Sequence, residues 1–141
     1  MAAYNKFQVF VENVAEKVHN LGADTLKVML TNTAPVATNT VFANLTEISA
    51  GNGYTAGGTA ATISSSTHTT GTYKLTLADV VFTASGGSIG ALRYSVLYND
   101  TPTSPADPLI GWHDYGSSIT LLDTETFTWD ADASAGILTI A

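Results

Sequence analysis

Only one stretch of this sequence repeats with the period of a helix. Nearly everything after it alternates with period two or breaks into glycine- and proline-rich turns. Phe7, Phe10, Val11, Val14, Val18 and Leu21 fall at i, i+3, i+4, i+7, i+11 and i+14, one apolar stripe at helical spacing. Asn5 with Gln8 three residues on reads as a capped start, and Gly22 stands where a left-handed residue ends a helix. The expectation is an amphipathic helix within residues 1–22. Its stripe should dock on the chain's own sheet, because a lone helix of this length is marginal in water.

From residue 24 the grammar changes. Leu26, Val28 and Leu30 alternate with Thr25, Lys27 and Met29, the pattern of a half-buried strand. Val41, Leu45 and Ile48 suit one short helical turn, and Ser49–Gly58 is a glycine-dense loop with Tyr54 as its one aromatic. Ala60–Ser66 reads as a weak or edge strand. Tyr73, Leu75 and Leu77 alternate, and Val80–Thr83 and Leu92–Tyr98, parted by Ser85-Gly86-Gly87-Ser88, read as a hairpin. The prolines of Asn99–Pro108 exclude central ladder pairing there. Leu109–His113, Ile119–Leu122, Phe127–Trp129 and Ile137–Ile140 complete the set. The fold class is therefore α+β, mainly β: an N-terminal amphipathic helix packed on an antiparallel β-sandwich or barrel of about seven strands. No linker or fixed-period repeat divides residues 1–141, so a single domain is expected, with a helix in 1–22 and a β-rich body in 24–141.

At 141 residues and 14.7 kDa, such a chain folds to about 6,900 Å² of surface and can build a core without staples. It has no cysteine, which removes disulfides, thiolate metal sites and a cysteine nucleophile. No apolar run is long enough to span a bilayer. Residues 1–6 lack the apolar core of a secretory signal, so folding in the cytoplasm is expected.

Charged residues are only 12% of the chain, and five Lys and Arg against twelve Asp and Glu give a net charge of −7. Nucleic-acid binding through phosphate contacts needs a basic face, which this chain does not have. The polar residues are instead Thr, Ser, Asn and Gly, with 22 threonines. A surface poor in Lys loses little side-chain entropy when covered, which suits an assembly subunit. The little charge present is segregated. Arg93 is the last basic residue, and beyond it lie Asp100, Asp107, Asp114, Asp123, Glu125, Asp130 and Asp132.

Several motifs invite chemistry and fail its other requirements. Gly86-Gly87-Ser88-Ile89-Gly90 fits G-x-S-x-G, but a nucleophile elbow needs a helix next and Ala91–Tyr98 reads as a strand. Gly51-x-Gly53 and Gly57-Gly58 lack the Lys-Ser or Lys-Thr of a phosphate loop, leaving a flexible surface or contact loop. Tyr54 in it is either an interface anchor or a core residue. His19, His68 and His113 share no ligand spacing, and His113 and Asp114 should face opposite sides of a strand. Asp123, Glu125, Asp130 and Asp132 offer calcium oxygen ligands without EF-hand spacing, the alternative being a solvated acidic face or one that meets a basic partner. No enzyme activity and no cofactor are expected.

Tyr4-Asn5-Lys6-Phe7, Leu26-Lys27-Val28 running into Thr31-Asn32-Thr33-Ala34-Pro35, the loop Gly51–Gly58 and Arg93–Asp100 together resemble small virion proteins of tailed bacteriophages, most like a head decoration (cement) protein. The resemblance covers nearly the full chain. It implies a structural protein made in the host cytoplasm and carried on the capsid exterior. Such a protein binds the lattice of the major capsid protein, often as trimers, and clamps capsomers against internal pressure, without nucleic-acid or membrane contact. The candidate contact residues are Asn52, Gly53 and Tyr54 of the glycine loop and Asp100, Pro102, Pro105 and Pro108 of the proline loop. A tail or connector subunit is the alternative within a virion. A glycan-binding β-sandwich module is the alternative outside it, with Trp112, Tyr115 and Trp129 as the aromatic candidates.

Overall fold

The computed structural model describes residues 2–141. The period-two segments form strands, and the chain is mainly β, with every strand pair antiparallel. In order come β1 (Tyr4–Lys6), α1 (Val9–Ala15), β2 (Leu26–Thr31), a single 3₁₀ turn (Phe42–Asn44), β3 (Thr59–Ala61), β4 (Ile63–Thr69) and β5 (Thr72–Leu77). They are followed by β6 (Val80–Thr83), β7 (Ile89–Asn99), β8 (Leu109–Leu121), β9 (Thr126–Trp129) and β10 (Leu138–Ile140). A five-stranded sheet runs β1-β8-β7-β2-β3, a three-stranded sheet β10-β5-β4, and β6 pairs with β9 as a separate ribbon. The accessible surface, 6,975 Å², is what scaling from mass gives. No helix among the described residues is long and apolar enough to cross a membrane.

The strands among the described residues number ten rather than about seven. Only β1, three residues inside the stretch read as helix, lies where no strand is expected; Ala60–Ser66 is divided between β3 and β4, and β10 falls within the expected Ile137–Ile140. In the other direction, Leu109–His113 and Ile119–Leu121 join into the one long strand β8. Its register against β7 shifts between Leu92↔Ile119 and Tyr94↔Asp114, so Tyr115–Ser118 bulge outward. That irregularity also turns β7. Leu92 and Leu97 lie five residues apart yet join the same core cluster, whereas a regular strand would point them to opposite faces.

The N-terminal helix is much shorter than its apolar stripe. Asn5 is not a cap: it lies in β1, paired with Trp112, and the residue before α1 is Gln8, with no side-chain cap bond. Tyr4 lies across Gly111 of β8, where any side chain would overlap its ring, so the segment pairs as an edge strand. At the other end, the Val18 N–H donates to Asn13 O at 2.8 Å and the Lys17 N–H to Val14 O at 3.3 Å. With Lys17 at φ 63° this is a Schellman close, five residues before Gly22, which is not the helix end. Val18 and Leu21 therefore sit in the return loop, and Val11 is exposed.

Two further expectations change. The strand β2 is covered on both faces rather than half-buried. Leu26, Val28 and Leu30 enter the larger cluster, while Met29 packs with Phe7, Val96, Tyr98 and Leu109 on the other side. Second, β6 does not form a hairpin with β7. It pairs with β9, Val80↔Trp129 to Thr83↔Thr126, because Phe82 meets Phe127 across that ribbon. The glycine turn is then a crossover between sheets, anchored where the Gly86 N–H donates to Asp123 Oδ1 at 2.8 Å. Ala60–Ser66 does become edge strand: β3 and β4 are each the last strand of a sheet.

Candidate interaction surfaces

The seven candidate contact residues do not gather in one place. Asn52 and Gly53, at φ 54° and 101°, are the central pair of a tight turn closed by Gly51 and Tyr54, whose backbones bond reciprocally at 2.8 and 3.0 Å. Both positive φ values fit the Asn-Gly type I′ turn, a signal the glycine-loop reading missed. Asn52 Nδ2 donates to Ser88 O at 3.0 Å, immediately before β7. Asp100 follows the last residue of β7, so the two groups occupy opposite ends of that strand.

Tyr54 and Pro108 are corrected as contact residues because both are buried, Tyr54 to 2% exposure. The Tyr54 hydroxyl donates to Glu47 Oε1 at 2.6 Å and accepts the Leu30 N–H at 3.1 Å. Burial and the Glu47 carboxylate push its pKa well above the ordinary phenol value. The same Glu47 oxygen accepts the Gly57 N–H, and Gly57 O accepts the Tyr98 hydroxyl, both at 2.6 Å. The glycine segment is thus pinned to the core by four polar contacts. Asn52, Gly53, Asp100 and Pro105 are exposed and Pro102 is half-buried. Asp100 pairs with Lys27 at 2.9 Å.

His19 and His113 are structural, whereas His68 is exposed on β4. Asn99 Nδ2 lies 3.1 Å from His19 Nδ1 and donates to Asp24 Oδ2 at 2.6 Å, while Asn99 Oδ1 accepts the Thr101 N–H at 3.1 Å. These partners fix the amide orientation, so His19 Nδ1 accepts and the ring proton sits on Nε2. Burial lowers the His19 pKa to about 4, with Asp24 opposing. His113 is buried and also held low by burial, while neighbouring Asp114 faces out to a bidentate pair with Arg93 at 2.8 and 3.0 Å.

The acidic residues cap turns rather than converge. Asp123 takes the Gly86 N–H, Glu125 the Leu122 N–H, Asp130 the Asp132 N–H, and Asp132 those of Ser134 and Ala135. Among the described residues no group of three His, Asp or Glu could hold a metal, so the calcium set is not assembled. Ser88 is exposed and followed by the strand β7, so the elbow context is absent too.

One pocket has mixed chemistry. About 160 Å³ in volume, it lies between β7, β8 and β9, with Tyr115, Phe127 and Trp129 as aromatic walls and Ser95, His113 and Arg93 as polar lining. Trp129 Nε1 donates to His113 Nδ1 at 3.3 Å, which puts the His113 proton on Nε2 as a donor. Tyr115 is 54% exposed and meets Phe127 edge-on. Of the aromatic candidates, Trp129 is core, Trp112 packs on Phe7 and only Tyr115 is exposed.

No Asp, Glu, Lys or Arg occurs from Ile48 to Tyr73, and this run carries both β3 and β4. No protein-family model, curated protein or solved structure matches the chain.

Proposed function

We propose that this chain is a structural virion protein that binds the outer surface of a phage capsid and stabilises it. The observation that carries the reading is the charge layout. Of the seven acids after Arg93, Asp114 pairs with Arg93 and Asp100 with Lys27, which leaves Asp107, Asp123, Glu125, Asp130 and Asp132 without an ion-pair partner among the described residues. Asp123, Glu125, Asp130 and Asp132 sit on turns their own carboxylates hold in place. This leaves negative charges fixed at separate surface turns, suited to basic groups on a lattice and unsuited to nucleic acid. The resemblance in residues 4–7, 26–35, 51–58 and 93–100 supports the same placement: the capsid exterior, on the major capsid protein, with self-association that includes trimers. The two larger sheets, sharing Leu26, Val28 and Leu97 with Leu75, Leu77 and Leu138 in one cluster, are read as the layers of a sandwich. No catalytic role belongs to this reading, and a tail or connector position is its nearest competitor.

The test is reconstitution. Purified protein added to particles lacking it should co-sediment with capsids, release as salt rises and restore heat resistance. Equal melting of particles with and without the protein contradicts the clamp.

A second reading, a glycan-binding module, is favoured by the pocket at Tyr115, Phe127 and Trp129, whose size admits one sugar ring against aromatic faces with the His113 donor beside it. In Trp112→Phe, leaving Trp129 as reporter, a monosaccharide panel should shift the emission. Unchanged emission across the panel removes the reading.

A further inference from the structure

We infer that two copies of this chain join through the free edge of β4, paired antiparallel with itself about a two-fold axis. Among the strands at sheet edges, β1, β3 and β10 have three residues and β6 and β9 four, whereas β4 has seven. Natural edges of that length are guarded by Lys, Pro or inward charges. Ile63–Thr69 carries none of these, and its one irregularity, between Ile63 and Ser65, leaves Ser65–Thr69 regular.

The hairpin geometry says which groups are free. Thr70 and Gly71, at φ 48° and 85°, make a two-residue turn between the paired residues Thr69 and Thr72. Such a turn makes Thr69, and then Thr67 and Ser65, the residues bonded to β5. The main-chain N–H and C=O of Ser66 and His68 therefore point away from β5. No backbone bond from outside the sheet reaches them among the described residues, and His68, Thr67 and Thr69 are exposed.

Charge selects a second copy as the occupant. A chain at −7 repels its own kind over most of its surface, and the uncharged run Ile48–Tyr73 is where two copies meet without opposing carboxylates. A strand meeting itself under two-fold symmetry also matches each outward N–H with a C=O. The pairing concerns the isolated chain in solution, whereas the trimers of the capsid reading form on the lattice, so its failure and the failure of that reading are separate outcomes.

Sedimentation equilibrium together with hydrogen exchange at two protein concentrations tests it. The wild type should pass from one copy to two as concentration rises, with slower exchange confined to the β4 amides. His68→Pro removes an outward N–H without breaking a β5 ladder bond. It should weaken the pair on the order of tenfold or more, since both copies lose a bond. His68→Glu, which keeps the backbone intact and adds like charge at the edge, should do the same if the proline variant does not fold. A monomer at every concentration, a three-copy species, association with unchanged β4 exchange, or undiminished pairing of the folded variants would each overturn the inference.

Discussion

Tyr54 and Glu47 meet through a 2.6 Å hydrogen bond beneath the glycine loop, with the Tyr54 oxygen also taking the Leu30 N–H of β2. A side chain that reads as an exposed anchor in the sequence is thus a tie between loop and central strand. Tyr54→Phe keeps the ring against Phe82 but strands a buried N–H and one bond of the carboxylate. The expected loss is about 1–3 kcal/mol, read as an earlier denaturant midpoint with unchanged slope. A midpoint equal to wild type would mean the tie contributes nothing.

Glycines 57 and 58 separate two kinds of constraint. Both have positive φ, but a Cβ at Gly58 would overlap the Val28 carbonyl of β2, whereas one at Gly57 would only touch the Tyr98 hydroxyl at 3.4 Å. Gly57→Ala should cost about 1–2 kcal/mol of backbone strain. Gly58→Ala should cost more than that, or fail to fold, because β2 must shift. Equal melting of the two variants would contradict the close approach.

The Schellman close predicts an inversion at the helix end. Lys17→Gly should stabilise the chain by about 0.5–1 kcal/mol, since Lys17 holds a left-handed conformation that glycine adopts freely. Gly22→Ala should cost about 1 kcal/mol or less, its new methyl pressing closest on the Ser66 hydroxyl at 3.2 Å, which can shift only by loosening its bond to Tyr73. Thermal melts of both variants check this, and a large loss at Gly22 with no gain at Lys17 would restore the longer helix.

His19 gives the chain an acid sensitivity of known sign. Its folded pKa, about 4, lies below the ordinary value near 6.5, so the unfolded chain binds the proton more readily. Stability is therefore unaffected above about pH 6.5, falls as pH drops towards 4, and loses nothing more from this group below that. Protonation would also set an Nδ1 proton against the Asn99 amide. His19→Phe, which keeps the stack on Phe10, should flatten the decline over that window. His113, lowered by burial in the same direction, continues to contribute in both proteins. Identical pH profiles would contradict the assignment.

The alternation of Leu26–Leu30, Tyr73–Leu77 and Leu92–Tyr98 was enough to place strands, and the threonine- and serine-rich Ala60–Ser66 was enough to mark an edge. Partnership was not legible. Val80–Thr83 pairs with Phe127 and its neighbours, more than forty residues away, because aromatic contacts outweighed the short glycine connection. The stripe Phe7–Leu21 is continuous in sequence but divided in space among a β1 tether, one short helix and a return loop. A lysine supplied the left-handed residue expected of glycine. At the surfaces, Asn52-Gly53 carries a turn signal that a reading of the glycines alone passes over, and nothing local to Tyr54 reveals that Glu47 and Leu30 claim its hydroxyl. The Asn99–His19–Asp24 node joins residues up to eighty positions apart and left no local trace.

Copy number in purified virions, by quantitative mass spectrometry, bears most directly on what the chain does. A decoration protein on the capsid lattice must appear in simple proportion to the major capsid subunit. Only a handful of copies per particle, or none, would contradict that role, and a handful would assign the chain to a tail or connector position instead.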